Sequence, residues 1–510
     1  MARKNEKGVA LILTMILILV LSVMAVSMLF ISQSETWSGM NYRMMTQARY
    51  GAEAGVHKAA NFLQSANYTA PTAAQITANF TTTASPIVYS NAPATLSANS
   101  SLGSNNYPIS SDTAGFAALA GTLTAGNTTV SYQPYAKLLA IQSFTGYPAA
   151  TSAVVEKWEI TSDGTISGVR NAQVRVSAIM ERQKMPTFAY AAFATAATCG
   201  ALSFGGGGTT DSYDSASLTT VGGVATPPSS FNTYGGNVGT NGNLDESGNK
   251  TTIGGTLSTP RSGTGTCTSG NITALSQNGT TQALSITELP QSVTYVTPPA
   301  PTPAPPTTAM SVGNKPDCTG IPSCTTTGSS NSDSTIITAG PSSTSATSLG
   351  SLTVQGNLHF APPVGTAVGS PVYINLNSIT TNGNPSITID PIPGTTPPQY
   401  AQIVLNVAPG GSIDLTGSTL SNPTLVPADF QVLYGGTNQV KINGGTQTAM
   451  LLYAPNASFK LNGGGNLYGS VIAGQVTDLG GGAIHYDREL QTEFYQLGSF
   501  MLSSFNWQKN

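Results

Sequence analysis

Charge is scarce in this chain. Asp, Glu, Lys and Arg make up 8% of its 510 residues, where a soluble domain usually carries about a quarter. The balance of 19 basic against 22 acidic residues leaves no cationic surplus, so nucleic acid is not expected as a partner. Histidine is nearly missing: His57, His359 and His485 stand far apart in sequence. No HExxH, P-loop or GxSxG pattern occurs, and the glycine runs are not followed by Lys-Ser/Thr, so a phosphate cradle is not expected. We therefore expect no catalytic residues, no metal and no cofactor. Cysteine is limited to Cys199, Cys267, Cys318 and Cys324. None shows the CxxC-like spacing of a zinc site. An even number in an exported region points to disulfides, with three possible connectivities. The short loop CTGIPSC favours Cys318–Cys324, which leaves Cys199 with Cys267.

What the chain does have is one long apolar run. Val9 to Ile31 carries no charge, and Thr14, Ser22 and Ser27 are its only polar side chains. As a helix at about 1.5 Å per residue it spans a hydrocarbon core of about 30 Å. Arg3, Lys4 and Lys7 precede it and no comparable basic cluster follows, so the N-terminus is expected in the cytoplasm and the bulk of the chain across the membrane. A cleaved signal peptide ending near Ala25-Val26-Ser27 is a rival, but the apolar run is too long for one and continues through Ile31. A plain single-pass anchor is another. Beyond the run, Trp37, Met40, Met44, Ala48, Gly51, Gly55, Ala59 and Leu63 recur at steps of three and four. That is a helical stripe, so the helix is expected to continue amphipathically over 32–64. Gly51 and Gly55 leave room for a close neighbour, or they mark a helix fraying toward its end.

Lys7-Gly8-Val9-Ala10-Leu11-Ile12, the apolar run, and Ala48-Arg49-Tyr50-Gly51-Ala52-Glu53-Ala54-Gly55-Val56 together resemble the N-terminal region of PilX-type minor pilins of type IV pilus systems. The resemblance covers about the first 65 residues. It implies a leader over 1–8 cut after Gly8 by a prepilin peptidase, a mature chain starting at Val9, and other pilin subunits as partners. Major pilins carry a glutamate where this chain has Leu13. An isolated carboxylate in lipid needs a partner, so Leu13 suggests a low-copy tip or priming subunit. Glu53, Gly51 and Gly55 fall in the family's second motif, on the assembly helix.

After the helix the expected fold is mostly β. Residues 65–187 read as a loop-rich, pilin-like head with a small antiparallel sheet. Its strands are TTVSYQPYAKLLAIQS, AVVEKWEIT and AQVRVSAIME, with Ser162-Asp163-Gly164 as a turn. Val154, Trp158 and Ile160 share one strand face, on which Glu156 is the exception. Residues 188–285 and 349–510 alternate short strands with Gly/Asn turns. Gly444, Gly463 and Gly480 recur at steps of 19 and 17 residues, the signature of a β-solenoid. "YAPNA" and "IHYD" in the second segment also resemble the carboxyl-terminal region of PilX-like exported proteins. Between the segments, 286–348, with VTPPAPTPAPP, reads as a linker or insertion. The aromatic tail through Phe494, Tyr495, Phe500, Phe505 and Trp507 is expected to cap the solenoid's open end.

The function expected is a minor pilin, a tip or priming subunit, displaying a large extracellular β head for adhesion or surface contact, with the membrane and a surface glycan as further partners. The alternatives are a membrane-anchored β-helix enzyme acting on surface polysaccharide, which would need paired carboxylates such as Asp414 and Asp478, and a single-pass surface protein outside any pilus. Asp211 and Asp214 in DSYDS suit an Asx turn or a calcium site.

Overall fold

The computed structural model describes residues 6–125, 128–148, 151–168, 171–247, 251–278, 285–478 and 480–509. Arg3, Lys4 and Leu479 lie outside them. The chain forms two compact units. One comprises Met1–Thr145, Ser152–Lys184 and Leu497–Asn510, the other Gly146–Thr151 and Met185–Gln496.

The first unit is built on the helix Glu6–Gln64, about 90 Å long at 1.5 Å per residue. Its first half touches nothing: Val9 to Ile31 is exposed throughout. From Ala48 onward Ala48, Ala52, Val56, Ala59 and Leu63 are buried. They pack on a sheet whose main strands are Thr128–Gly146, Thr151–Ile166 and Ala172–Pro186. The burial alternates along the strands, with Val154, Trp158 and Ile160 facing the helix beside Val174, Val176, Ala178 and Met180. Ser162-Asp163-Gly164 is not a turn. These residues lie within the second strand, paired with Val176, Arg175 and Val174. Glycine is needed there because a Cβ on Gly164 would strike the backbone of Ala48 and Ala52. The tail is not a solenoid cap either. The strand Tyr495–Lys509 lies at the edge of this sheet beside Ala172–Pro186. Arg182 Nε donates to the Gly498 carbonyl at 2.8 Å, and Phe500 and Leu502 pack on the core. The reason is chemical: an edge strand offers free N–H and C=O groups that a late segment can satisfy.

The second unit is a stack of coils whose strands pair in parallel. In one row of strands, Ile374, Leu405, Val432, Leu452, Val471, Ala192, Val238 and Leu257 stand in register from coil to coil, nearly all fully buried. A second row aligns Leu352, Ile379, Ile413, Val440, Phe459, Val476, Leu202, Leu244 and Leu275. The 19- and 17-residue steps in the sequence are coil lengths, since Val440 lies opposite Phe459 and Phe459 opposite Val476. Each aligned column buries apolar area that a single coil would leave wet.

The order of the coils departs from the order of the chain. The coil holding Ala192–Ala194, Leu202–Gly205 and Thr209–Tyr213 pairs directly with the coil over Asn466–Asp478 and Ala483–Asp487. The two solenoid-like segments are therefore one continuous stack. The chain enters at mid-stack, builds outward to Ser285–Glu288, passes to the opposite end at Ala309–Val312, and builds back to the middle.

The proline-rich stretch makes that passage and is not a linker. Asn241 Nδ2 donates to the Val293 carbonyl and Asn241 Oδ1 accepts from the Val293 N–H, both at 2.8 Å. Tyr295 packs on Phe193 and Tyr453. The Tyr453 hydroxyl donates to the Val296 carbonyl at 2.8 Å, and Asn375 Nδ2 to the Pro303 carbonyl at 2.8 Å. Ten residues of polyproline II at about 3.1 Å each reach about 31 Å. The six strand steps from Val238 to Ile374 span about 29 Å at about 4.8 Å each. Proline suits the route because a strap crossing strand edges has few backbone donors to satisfy. The rest of 286–348 also joins the stack: Ser334–Thr338 pairs in parallel with Asn357–Ala361.

Candidate assembly interface

The residues of the N-terminal motifs fall on two parts of one helix. Gly8 and Val9 are helical. Val9 is 62% and Leu13 65% exposed, on a segment whose large side chains all face outward. This is a helix long and apolar enough to cross a membrane. Thr14 and Ser22 return their hydroxyls to carbonyls of the preceding turn, which satisfies two of the segment's three polar side chains within the helix.

Gly51 and Gly55 lie where the helix meets the sheet. A Cβ at Gly51 would collide with the Val130 side chain, and one at Gly55 with Ser162. With Gly164 opposite, the three glycines let backbone approach backbone. Glu53 points away from this contact and pairs with Arg49 at 2.8 Å along the helix, and the Arg49 guanidinium lies over Trp507.

Beneath the helix the sheet holds a buried carboxylate. Glu156 is 3% exposed and accepts from the Tyr68 hydroxyl at 2.6 Å and the Tyr107 hydroxyl at 3.4 Å. Burial pushes its pKa up to about 7, and the tyrosine hydrogen bonds hold it from going higher. Its place on an apolar strand face was visible in the sequence. The two tyrosines, 88 and 49 residues away, were not.

On the coil stack, two histidines that look isolated in sequence each have a carboxylate. His485 Nδ1 meets Asp211 Oδ1 at 2.5 Å, and its ring stacks on Phe231 at 3.8 Å. His359 Nδ1 meets Asp390 Oδ1 at 2.6 Å, while its Nε2 lies 3.1 Å from Ser334 Oγ. The order Ser–His–Asp is that of a hydrolase triad. However, Ser334 is buried, and its N–H donates to Thr327 Oγ1 rather than toward a substrate oxygen. The carboxylates proposed for glycoside cleavage do not meet. Asp414 pairs with Lys441 at 3.0 Å. Asp478 is fully buried in register with Leu461, whereas Asp414 aligns with Lys441 and Lys460. A one-residue offset puts the two on opposite faces of the row. Asp211 is engaged by His485, and Asp214 accepts from the Ala216 N–H as the N-cap of a short 3-10 turn.

The structure joins Cys199 to Cys267 and Cys318 to Cys324. The first bond borders a cleft of about 400 Å³ lined by Asn243, Asp245, Ser276 and Gln277. Among the described residues no group of three or more His, Cys, Asp or Glu side chains is placed to hold a metal.

A long helix, apolar in front and docked through glycines onto an antiparallel sheet behind, defines a pilin-like unit. Residues 7–57 match the PilX N-terminal family, so over that region the chain is similar to PilX-type minor pilins. Residues 350–493 match a domain of unknown function, DUF7305. These residues are the returning coils, from the strand Thr347–Val354 to the turn after Asp487. The crystal structure of the competence-associated pilin ComZ from Thermus thermophilus is similar at 13% identity, covering 92% of this chain and 98% of that one with a TM-score of 0.27. No curated protein matches.

Proposed function

We propose that this chain is a tip or priming subunit of a type IV pilus-like machine, and that its coil stack is displayed outside the cell for adhesion or surface contact. In this reading the prepilin peptidase cuts after Gly8, and the helix from Val9 is first the membrane anchor, N-terminus in the cytoplasm, and then the part inserted among other pilin subunits. The carrying observation is the division of the helix at about Ala48, with exposed apolar residues before it and a glycine-lined contact with the sheet after it. Leu13 offers no carboxylate to a neighbour's amine, which suits a subunit that ends or starts a filament. The role is structural, without catalysis.

The test is the mature N-terminus. Mass spectrometry is expected to find a chain beginning at Val9, and deletion of the prepilin peptidase to abolish its surface display. A chain beginning at Met28, or display that persists without the peptidase, would overturn the reading.

A further inference from the structure

A strand of an end coil has a neighbour on one side only, and its other edge is open to any strand that fits it. The column that contains Leu352 runs the length of the stack. At one end it stops at the strand Leu275–Asn278, which pairs with Leu244–Ser247. At the other it stops at Ala309–Val312, where Met310 lies opposite Leu352.

The two edges are treated differently. On the outer side of Leu275 lies the segment 263–265. The Gly265 N–H donates to the Leu275 carbonyl at 2.9 Å, and the N–H groups of Ala274 and Leu275 donate to the Gly263 carbonyl at 2.9 and 3.4 Å. Two residues after this segment, Cys267 is bonded to Cys199. Cys199 sits in the turn before Leu202–Gly205, two strands deeper in the stack. The disulfide thus staples the covering segment across the end coil. Residues 262–266 and 268–270 are exposed, so little apolar burial of their own holds them there. Ala309–Val312 has no such cover. Its bonds to the next strand run through the Thr308 and Val312 carbonyls, so the backbone groups of Ala309 and Ser311 point the other way. Both residues are exposed, and among the described residues no strand pairs with that side. The second disulfide also stands at an end strand. Cys324–Thr326 lies antiparallel on one side of Ser334–Thr338, whose other side is taken by Asn357–Ala361, and Cys318 closes the loop that leads into it.

An open strand at one end and a stapled strand at the other are complementary. The paired strands of this row run the same way, so Ala309–Val312 of a second copy would continue the sheet beyond Leu275–Asn278, its Met310 extending the Leu275 column. Such a contact is head to tail and does not close on itself. We infer that the Cys199–Cys267 disulfide guards the stack against head-to-tail addition, and that its release turns Leu275–Asn278 into a docking edge for Ala309–Val312 of a second copy. The guard belongs to the coil stack alone, so it stands whether or not the chain enters a filament.

The experiment uses the full chain with its N-terminal helix held in a lipid nanodisc, one copy per disc, so that the helices do not associate. Particle mass is read by sedimentation velocity over a range of concentrations. The wild type is expected to stay at one copy per particle. C199S/C267S is expected to double in mass and then to form longer species. Adding Ser311→Pro is expected to return it to single copies, because the ring replaces the outward N–H of an edge strand and leaves the bonds at Thr308 and Val312 in place. Should proteolysis show C199S/C267S misfolded, Gly265→Pro replaces it, since it removes the N–H that covers the Leu275 carbonyl and keeps the disulfide. Association of the wild type, single copies in the unguarded variant, or association that survives Ser311→Pro would overturn the guard.

Discussion

In the pilin-like unit a single helix meets a single sheet, and the contact is made once. In the coil stack the same kind of contact, strand upon parallel strand, is made again at every coil. The difference decides where each unit is vulnerable. The helix–sheet contact depends on a few positions with no substitutes: Gly51, Gly55 and Gly164 set its closeness, and Glu156 is a buried carboxyl held by the hydroxyls of Tyr68 and Tyr107. The stack spreads its core over aligned columns of Ile, Leu, Val and Phe. One loss there is felt by the neighbouring coils and fades beyond them.

Four substitutions test that contrast, all read by hydrogen exchange with mass spectrometry, which resolves protection region by region. The largest effect is expected from Gly164→Val. Its Cβ would meet the helix backbone at Ala48 and Ala52, which cannot rotate away, so protection across the pilin-like unit should fall by about 4 kcal/mol or more. Loss confined to the one strand would show that the unit is no more cooperative than the stack.

Next is Glu156. Its pKa is raised from 4.5 to about 7 by burial, so the folded state holds the proton longer than the unfolded one. The associated stability is complete below about pH 4.5 and is lost as pH rises toward 7, by up to about 3 kcal/mol. Glu156→Gln should flatten the stability of this unit across that window and make it the more stable form at pH 8. A wild-type profile without this fall would mean that the carboxylate is not buried.

A smaller effect is expected in the stack. Asn241→Ala removes two hydrogen bonds to Val293 and should cost about 2 kcal/mol. The loss should be concentrated in the strap near Val293 and the coil of Val238–Thr240. Uniform loss over all coils would refute the local character assigned to this unit. Smallest is Lys441→Ala, which breaks a half-exposed pair with Asp414 and should change protection by less than about 1 kcal/mol.

Several parts of this fold are legible in the residues because they are local. The helix follows from the uncharged run at Val9–Ile31 and the stripe from Ala48 to Leu63. The coil length follows from the glycine steps at Gly444, Gly463 and Gly480. What failed was long-range. Ser162-Asp163-Gly164 has turn composition, yet its glycine answers to a helix more than a hundred residues earlier. VTPPAPTPAPP has linker composition, yet its contacts come from more than one coil, Tyr453 holding Val296 and Asn375 holding Pro303. His359 and His485 look solitary because Asp390 and Asp211 become neighbours only through the stacking of coils.

The amino-acid sequence alone determined that one lipid-compatible helix leads the chain, that the rest is sparsely charged and mostly β, and that its second half is made of repeating coils. Each of these is written in residue spacing, which acts over one or two turns of chain. Only the tertiary structure decided that the first solenoid segment stacks on the last coil, that a proline strap carries the chain between the ends, and that the strand Tyr495–Lys509 joins the sheet of the pilin-like unit. Coils and strand edges of one kind are chemically alike, so periodicity cannot name their neighbours; closure of the whole core does.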